Sequence, residues 1–381
     1  PTPPRNQRES GVSVCLDCSS CSCVVVSGRL ADCKQVLQAV LAKENLRTGA
    51  EPSRINVMAD NLGWGSTCAD VAKAFPEAAG QIDGSTVIVT GASAGIGEET
   101  AFQFALLGGN VVLACRNQEK AEKAKAKMVA RAGEKEVSIH CMPLELSDLD
   151  SVRSFVAAFK DRVSTEGWKL KYLICNAGML PSKVAESKQG YELAFATNHL
   201  GHFALTEGLL PELRTNAPSR VVVVASVSHY GPVNVSSADL LDAEVVKSKL
   251  VHRKYKSMGL ITSNKLYGNT KLCNVLMAKE FALREKDNGV TFASLHPGTM
   301  ITTTIVRGQG LLARGFFKAI SPFTKNVNQG SSTTFFCALA PADTVNGKYA
   351  DNCTIKEESR RASKEAASVL FEVSAELTKQ K

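Results

Sequence analysis

The sequence lacks any uninterrupted apolar run of about 18 residues or more, so it predicts no membrane-spanning helix. It also lacks a dense block of lysine and arginine, although its 381 residues carry a formal net charge of +8. A solvated basic surface and an anionic ligand account for that charge, so we predict no nucleic-acid partner. There is no internal repeat either. With 44% apolar and 22% charged residues, the chain can bury a sizeable core.

Metal-binding patterns are also missing, although cysteine is plentiful at 12 residues. Five cysteines crowd the N-terminal part without a second ligand pair or a histidine nearby, so we predict no metal site and keep zinc binding or disulfides as the alternative. They are Cys15, Cys18, Cys21, Cys23 and Cys33. The others stand singly in apolar or strand-like segments, which is typical of buried thiols in a reducing compartment. These are Cys68, Cys115, Cys141, Cys175, Cys273, Cys337 and Cys353.

Residues 1–57 differ in composition from the rest of the chain. Val24–Val26 is too short an apolar core for a signal peptide, although Arg5 and Arg8 near serines leave a targeting segment open. We predict that residues 1–57 are a disordered or processed extension and that residues 58–381 form one domain. The cysteine usage favours an intracellular location, cytoplasmic or organellar, and a leader of this kind could address a plastid.

The segment 86–116 predicts a strand, a glycine turn, a helix and a second strand. Gly91, Gly95 and Gly97 fall where the first strand must turn sharply. A helix that begins near Ile96 would offer unpaired N–H groups there. The spacing fits the pyrophosphate of a dinucleotide, with a tight turn alone as the alternative.

Strands and helices alternate after this unit. Apolar runs predict strands near 137–144, 172–175, 220–225 and 290–295, and helical patterns cover 119–132, 149–162, 191–213 and about 267–284. Repeated βα units with buried strands predict an α/β fold, a single Rossmann-type doubly wound parallel sheet with flanking helices. Ligands of such sheets bind at the carboxyl ends of the strands.

The charged residues at the ends of the second and third strands indicate which dinucleotide the chain binds. The second strand ends in Arg116, without the acid that usually binds the ribose hydroxyls of NAD. Arg116 can pair with a 2′-phosphate, which favours NADP(H), and the alternative is a surface arginine without a ligand. Glu145, which ends the third strand, either faces the adenine amino group or is a solvated loop acid.

Further along the chain, a group of four residues has side chains suited to proton transfer. Tyr267 and Lys271 are four residues apart on one helix face, so we predict that the ammonium lowers the pKa of the phenol. The hydroxyl of Ser226, at the end of an apolar strand, would hydrogen-bond a carbonyl or alcohol. Asn198 is unusual in a helix interior and would suit a water or backbone relay.

Six motifs stand in one order along the chain. They are Thr90-Gly91-x-x-x-Gly95-x-Gly97, Asn176-Ala177-Gly178, Asn198-His199-x-Gly201-His202-Phe203, Ser226, Tyr267-x-x-x-Lys271 and His296-Pro297-Gly298. In this order they resemble the short-chain dehydrogenase/reductase family over about residues 60–375. Residues 114–117, 198–203 and 294–298 look most like its retinol dehydrogenase and WW-domain oxidoreductase branch, and residues 67–73 resemble chloroplast-envelope relatives in plants. The family is commonly dimeric or tetrameric, so a homo-oligomer is also implied.

The resemblance implies roles for individual residues. Tyr267 would be the general acid/base, and Lys271 would lower its pKa and hold the nicotinamide ribose. Ser226 would polarise the carbonyl, and Asn198 would anchor a relay water. The implied cofactor-binding residues are Gly91, Ser93, Gly95, Ile96, Gly97, Arg116, Glu145, Asn176, Gly178, Tyr267, Lys271, Pro297, Gly298, Thr299 and Thr302.

Three positions depart from the common pattern of the family. Cys175 replaces an asparagine, Ala225 replaces a serine and Glu145 replaces an aspartate. None of them removes a catalytic group, so the resemblance implies an active enzyme.

The segment 301–323 contains spaced apolar residues, which indicate the class of substrate. They are Leu311, Leu312, Phe316, Phe317 and Phe323. The segment predicts a lid over a hydrophobic substrate, or else packing on the sheet or on a partner subunit. The resemblance implies that the chain interconverts a lipophilic alcohol and its aldehyde or ketone with NADP(H).

Two alternatives stay open. The regions 290–295 and 322–323 also resemble light-dependent protochlorophyllide reductase, although that enzyme typically has tyrosine where His296 stands. A nucleotide-binding regulatory or assembly protein on the same fold is the second alternative, since fold does not fix function.

Overall fold

The computed structural model describes residues 12–15, 25–28, 61–231, 233–252, 258–298 and 325–379. The chain divides into two units, residues 1–60 and residues 61–381. In the first unit, strand β1 (Val12–Cys15) pairs antiparallel with strand β2 (Val25–Gly28). The rest of the predicted extension lies outside the described residues, so its disorder stays a prediction.

The second unit is built around an eight-stranded sheet. Its strands are β3 (Thr86–Thr90), β4 (Asn110–Cys115), β5 (Ser138–Pro143), β6 (Leu170–Cys175), β7 (Ser219–Val224), β8 (Val290–His296), β9 (Tyr349–Asp351) and β10 (Thr354–Lys356). They lie in the order β10-β9-β8-β7-β6-β3-β4-β5, and every neighbouring pair is parallel except the edge pair β9–β10. The predicted α/β fold is confirmed, with one antiparallel edge strand added.

Strand β3 shows why the sheet forms where it does. All five of its residues are buried, and its β-branched side chains suit a strand that is covered on both faces. The chain continues from β3 to β4 on one side, whereas β6 pairs with β3 on the other side. This reversal of strand order opens a crevice at the carboxyl ends of the strands, where such sheets bind ligands.

Helices flank the sheet. They are α1 (Cys68–Ala74), α2 (Pro76–Gly80), α3 (Gly95–Leu106), α4 (Gln118–Ala132), α5 (Leu149–Glu166), α6 (Leu193–Phe195), α7 (Gly201–Thr215), α8 (Ala243–Val246), α9 (Leu260–Arg284), α10 (Val327–Leu339), α11 (Ala342–Val345) and α12 (Lys364–Lys379). Two 3₁₀ turns (Val227–Tyr230, Asp239–Leu241) and two π turns (Ala196–Leu200, Lys247–Val251) complete the described elements. None of the described helices combines the length and the apolar composition that a membrane span requires.

Aromatic side chains fix the helices to each other. Phe104 of α3 packs on Phe335 of α10, with 4.6 Å between ring centroids. Phe203 of α7 packs on Phe281 of α9 at 5.4 Å and on Phe371 of α12 at 5.0 Å. Such pairs add about 0.5–1.5 kcal/mol each beyond the burial of their area. The Phe203–Phe281 pair attaches α9, which contains Tyr267 and Lys271, to α7.

Several boundaries differ from the sequence prediction. Helix α9 begins at Leu260 rather than near Tyr267. The helix predicted over 191–213 is interrupted by the π turn Ala196–Leu200, which inserts an extra residue into the helical path. Strands β9 and β10 were not predicted because three residues are too short to show a strand pattern. Cys141 is half-buried, whereas the other six single cysteines are buried as predicted.

Candidate active site

The glycine turn keeps its backbone free of side chains. Gly91 and Gly95 have φ angles of +66° and +64°, which favour glycine. A Cβ atom on Gly91 would lie 3.0 Å from Ala177, and one on Gly97 would lie 2.7 Å from the carbonyl oxygen of Gly91. Substitution would therefore close the turn.

Helix α3 begins at this turn with an open N-terminus. Its N-cap residue, Ala94, supplies no side-chain hydrogen bond, so the first N–H groups are available to a ligand. Ser93, Gly95 and Ile96 are half-buried beside it. The turn and the helix end together form a backbone cradle for an anion.

A chain of hydrogen bonds fastens this cradle to the next loop. The hydroxyl oxygen of Thr90 accepts from the N–H groups of Asn176 and Ala177, both at 2.9 Å. His202 Nε2 lies 2.9 Å from the same oxygen, and His202 Nδ1 lies 3.0 Å from the carbonyl oxygen of Asn198. Burial lowers the pKa of His202 to about 4. The neutral ring therefore donates from Nδ1 to Asn198 and accepts the Thr90 hydroxyl at Nε2.

Asn198 lies inside the π turn with its side chain fully engaged. Its Oδ1 atom accepts from the N–H of Met179 at 2.8 Å. Its Nδ2 atom donates to the carbonyl of Met179 at 2.9 Å and to Thr270 Oγ1 at 3.0 Å. The side chain thus links the loop after β6 to helix α9, next to Lys271. The odd choice of asparagine in a helix interior is explained by these long-range bonds.

Lys271 is buried one turn after Tyr267 on α9. Its ammonium donates to the carbonyl oxygen of Val224 at 2.8 Å and lies 5.5 Å from the centroid of the Tyr267 ring. A Cβ atom on Gly178 would lie 3.3 Å from this ammonium and 3.7 Å from Asn198 Oδ1. The structure therefore brings Asn198, Gly178, Tyr267 and Lys271 together.

Ser226 completes this group at the end of β7. It is buried, and its hydroxyl oxygen accepts from the N–H of Ser228 at 3.2 Å, which caps the 3₁₀ turn Val227–Tyr230. Its hydroxyl donates to Ser228 Oγ at 3.2 Å, and its side chain is near enough to Tyr267 to act on the pKa of the phenol. The serine and the phenol therefore share one edge of the crevice.

The pKa of Tyr267 differs from the sequence prediction. Burial raises the pKa of Tyr267 to about 12, and the hydrogen bond with Ser226 only partly opposes that effect. Burial also lowers the pKa of Lys271 to about 8. The predicted lowering of the tyrosine pKa by Lys271 is not found, because desolvation dominates while the ammonium is turned toward Val224.

The charged residues at the β4 end of the crevice are much more exposed. The side chain of Arg116 is 79% exposed, and its Nη1 atom lies 3.3 Å from Glu145 Oε2. Glu145 also accepts from the N–H and the hydroxyl of Ser147, at 3.1 Å and 2.8 Å. The guanidinium can turn toward a ligand because it is held on one side only.

At the other end, Pro297 and Gly298 follow β8 and are half-buried. Gly298 has a φ angle of +121°. Thr299, Thr302 and the apolar segment 301–323 lie outside the described residues. The predicted site residues within the described ranges therefore all lie near the carboxyl edge of the sheet, from β5 to β8.

Comparison with known proteins identifies the architecture. Residues 85–238 match the family model described as short chain dehydrogenase. The chain is similar to a WW domain-containing oxidoreductase of Danio rerio, with 38% identity over 297 residues, 77% of this chain and 68% of that protein. It is 36% identical over 299 residues to retinol dehydrogenase 12 of Mus musculus, covering 78% of this chain and 87% of that protein.

The chain belongs to the short-chain dehydrogenase/reductase family of oxidoreductases.

Solved structures of other proteins share this fold. A protein from Mycobacterium paratuberculosis described as putative uncharacterized matches with a TM-score of 0.56 and 28% identity, covering 78% of this chain and 94% of that one. L-sorbose reductase from Gluconobacter frateurii, complexed with NADPH and L-sorbose, matches with a TM-score of 0.53 over 71% of this chain and 95% of that one. At 16% identity, the second match shows the fold alone.

The three departures from the common family pattern leave the reactive group intact. Cys175 is fully buried, and its sulfur lies 3.9 Å from Thr206 Oγ1. Burial raises the pKa of this thiol to about 12, so it stays protonated. Ala225 is buried within the core, and Glu145 pairs with Arg116.

Sequence reasoning missed one residue that supports the serine. His229 Nδ1 lies 2.6 Å from the carbonyl oxygen of Ser226, and its Nε2 accepts from the N–H of Ser359 at 3.3 Å. Burial lowers the pKa of this imidazole, so the neutral ring donates from Nδ1 and holds the serine backbone. Its position three residues after Ser226 was the available signal.

Proposed function

We propose that this short-chain family member is an NADP(H)-dependent oxidoreductase that interconverts a lipophilic alcohol and its aldehyde or ketone. The observation that carries the proposal is the convergence of four side chains at the carboxyl ends of β6 and β7, beside the first half of α9. They are Asn198, Ser226, Tyr267 and Lys271.

The division of labour follows from these positions. The nicotinamide, when bound, supplies or accepts the hydride. Tyr267, with its raised pKa, is protonated at neutral pH and is therefore ready to donate a proton to a carbonyl oxygen. Ser226 lies beside that phenol and polarises the same oxygen. In the oxidative direction the same phenol must first lose its proton, so a higher pH favours oxidation.

Residues along the crevice fit a dinucleotide. The uncapped N-terminus of α3 and the turn at Gly91 and Gly95 would receive the pyrophosphate. Asn176 and Gly178 would line the adenine-ribose side, and the backbone after Pro297 would flank the nicotinamide. Lys271 would hold the nicotinamide ribose, as the family resemblance implies.

The preference for NADP(H) is supported by Arg116. Its guanidinium is exposed at the tip of β4, and a planar guanidinium pairs well with a 2′-phosphate.

The lipophilic substrate is supported by the start of α9. Leu260 and Ile261 are 64% and 73% exposed, about 10 Å along the helix from Tyr267. The nearby loop is attached there because Ser263 donates to the carbonyl of Pro181, and that loop exposes Val184. These apolar side chains suit the approach of a hydrophobic molecule. The name of the relative retinol dehydrogenase 12 agrees with such a substrate.

Oxidation of NADPH with long-chain and short polar aldehydes tests the proposal. We expect turnover with the lipophilic series and a loss of about 10²–10⁴-fold in kcat for Tyr267→Phe, because the proton donor is removed. Dissociation constants for NADPH should stay within about threefold. Tyr230→Phe, which alters a half-exposed tyrosine near the site, is the matched control. Cofactor binding without any turnover that depends on Tyr267 would refute the enzymatic function and favour a regulatory protein.

A further inference from the structure

A second buried lysine lies at the carboxyl edge of the sheet. Lys325 is 1% exposed, and its ammonium has no hydrogen-bond partner within the part of the chain that the structure describes. Its side chain lies against Gly298, where an added Cβ would be 2.7 Å from Lys325 Cδ and 3.5 Å from its Nζ. Lys271, by contrast, donates to a carbonyl oxygen. The ring of Trp64 lies 5.9 Å from the ammonium, so Lys325 is a buried cation that faces an aromatic ring but has no hydrogen-bond acceptor among the described residues.

The groups around Lys325 are also unsatisfied. His296 and Asp351 are cross-strand partners on β8 and β9. Both ring nitrogens of His296 and Oδ1 of Asp351 lack hydrogen-bond partners among the described residues. Asp351 acts electrostatically on Lys325, but no ion pair within 4.0 Å joins them in the described ranges. Since buried polar groups are normally paired, this cluster marks a place that a polar ligand completes.

The position of Lys325 identifies which part of a ligand it meets. Helix α10 begins two residues later and packs beside the first turn of α3. Ser331 donates to the carbonyl of Ile96 at 3.3 Å, and Asn328 donates to Glu99 at 3.0 Å. Lys325 therefore lies between the anion cradle at the start of α3 and Gly298 at the end of β8.

We propose that Lys325 is a cofactor-binding residue whose ammonium binds the nicotinamide-side phosphate of the dinucleotide. This inference rests on the proposed function. A lysine binds phosphate as a point charge, and burial away from water strengthens the bond. The phosphate in turn supplies the acceptor that a buried ammonium needs. The glycine cradle provides N–H groups only, so Lys325 adds a full positive charge to the pyrophosphate site.

Binding titrations test the proposal without a substrate. We expect Lys325→Met to weaken NADPH and NADH by the same factor, about 10–100-fold, since one charge-assisted hydrogen bond is lost. Adenosine 2′,5′-bisphosphate, which lacks the nicotinamide-side phosphate, should bind as it does to the unmodified protein. The matched control is Lys356→Met, which removes an exposed lysine that also acts electrostatically on Asp351.

Other outcomes overturn the proposal. If Lys325→Met binds both dinucleotides as before, Lys325 has a structural role. If Lys325→Met weakens the binding of adenosine 2′,5′-bisphosphate by the same factor, the ammonium acts on the adenosine half of the ligand or on the fold. Should Lys325→Met fail to fold, Lys325→Arg keeps the charge and must bind both dinucleotides within about fivefold of the original, with Lys325→Gln weakening them.

The proposed function fails separately. Equal affinity of the unmodified protein for NADH and NADPH would refute the NADP preference. The equal loss of both dinucleotides in Lys325→Met would still support the role of Lys325.

Discussion

The two ends of the candidate cofactor crevice hold their positive charges in opposite ways. At the β4 end, the Arg116 side chain is exposed and paired on one side with Glu145. At the β8 end, Lys271 and Lys325 are buried, and burial lowers the pKa of both. An exposed charge costs folding little and can tune selectivity, whereas a buried charge weakens the fold unless a partner stabilises it. The two buried lysines are therefore explained by a chemical role rather than by a contribution to the stability of the fold.

Replacing the buried charge at Lys271 should give the larger effect in this comparison. We expect Lys271→Met to lower kcat/KM for carbonyl reduction about 10²–10³-fold, because a preorganised charge beside the reacting atoms is lost. Steady-state kinetics with NADPH would measure the change. A loss below about threefold would contradict a direct role for the ammonium.

The pH profile sharpens the same point. Lys271, with a pKa of about 8, is charged below that pH and neutral above it, whereas Tyr267, at about 12, keeps its proton throughout the usual range. Reduction should therefore decline about tenfold per pH unit above pH 8. In Lys271→Arg the decline should move to higher pH, because arginine stays charged. An unchanged decline would assign it to another group.

The exposed charge should affect selectivity only. We expect Arg116→Ala to lower kcat/KM with NADPH about 10-fold and to leave NADH unchanged, since only the 2′-phosphate contact is removed. The free energy of unfolding should change by less than about 0.5 kcal/mol, as for most surface substitutions. Parallel kinetics and urea denaturation would check both parts. Equal losses with the two cofactors would remove Arg116 from the 2′-phosphate site.

Glu145 gives the smallest expected effect, with the opposite sign. Its carboxylate competes with a 2′-phosphate for Arg116, so Glu145→Gln should strengthen NADPH binding about two- to threefold. Fluorescence titration of NADPH would detect the change, with NADH as the reference. Weaker NADPH binding would instead support a contact between Glu145 and the cofactor.

Local motifs made much of this arrangement predictable. The glycine turn, Ser226 and the pair Tyr267–Lys271 each follow from short-range patterns, and the order of βα units places them at one edge of the sheet. Burial could not be read from these patterns, and for that reason the predicted direction of the Tyr267 pKa was wrong. Desolvation depends on what packs around the phenol from distant segments.

Long-range contacts account for most of what the sequence did not reveal. His202 and Thr90 are 112 positions apart, and only the fold shows that they share a hydrogen bond. Lys325 follows Pro322, Phe323 and Thr324 with no motif around it, and an isolated lysine is normally expected on the surface. It lies against Gly298 and near His296 and Asp351, which the pairing of β8 with β9 brings together, and β9 is too short to predict.

The Thr90 hydroxyl has a consequence for how variants of this protein will behave. Its oxygen accepts from the backbone N–H groups of Asn176 and Ala177, and its proton is donated to His202 Nε2, while the Nδ1–H of His202 donates to the carbonyl oxygen of Asn198. We therefore expect nucleotide affinity and turnover both to depend on the Thr90 hydroxyl. A substitution of Thr90 would impair both at once. Selection for tighter nucleotide binding could therefore not change this residue without also slowing the reaction.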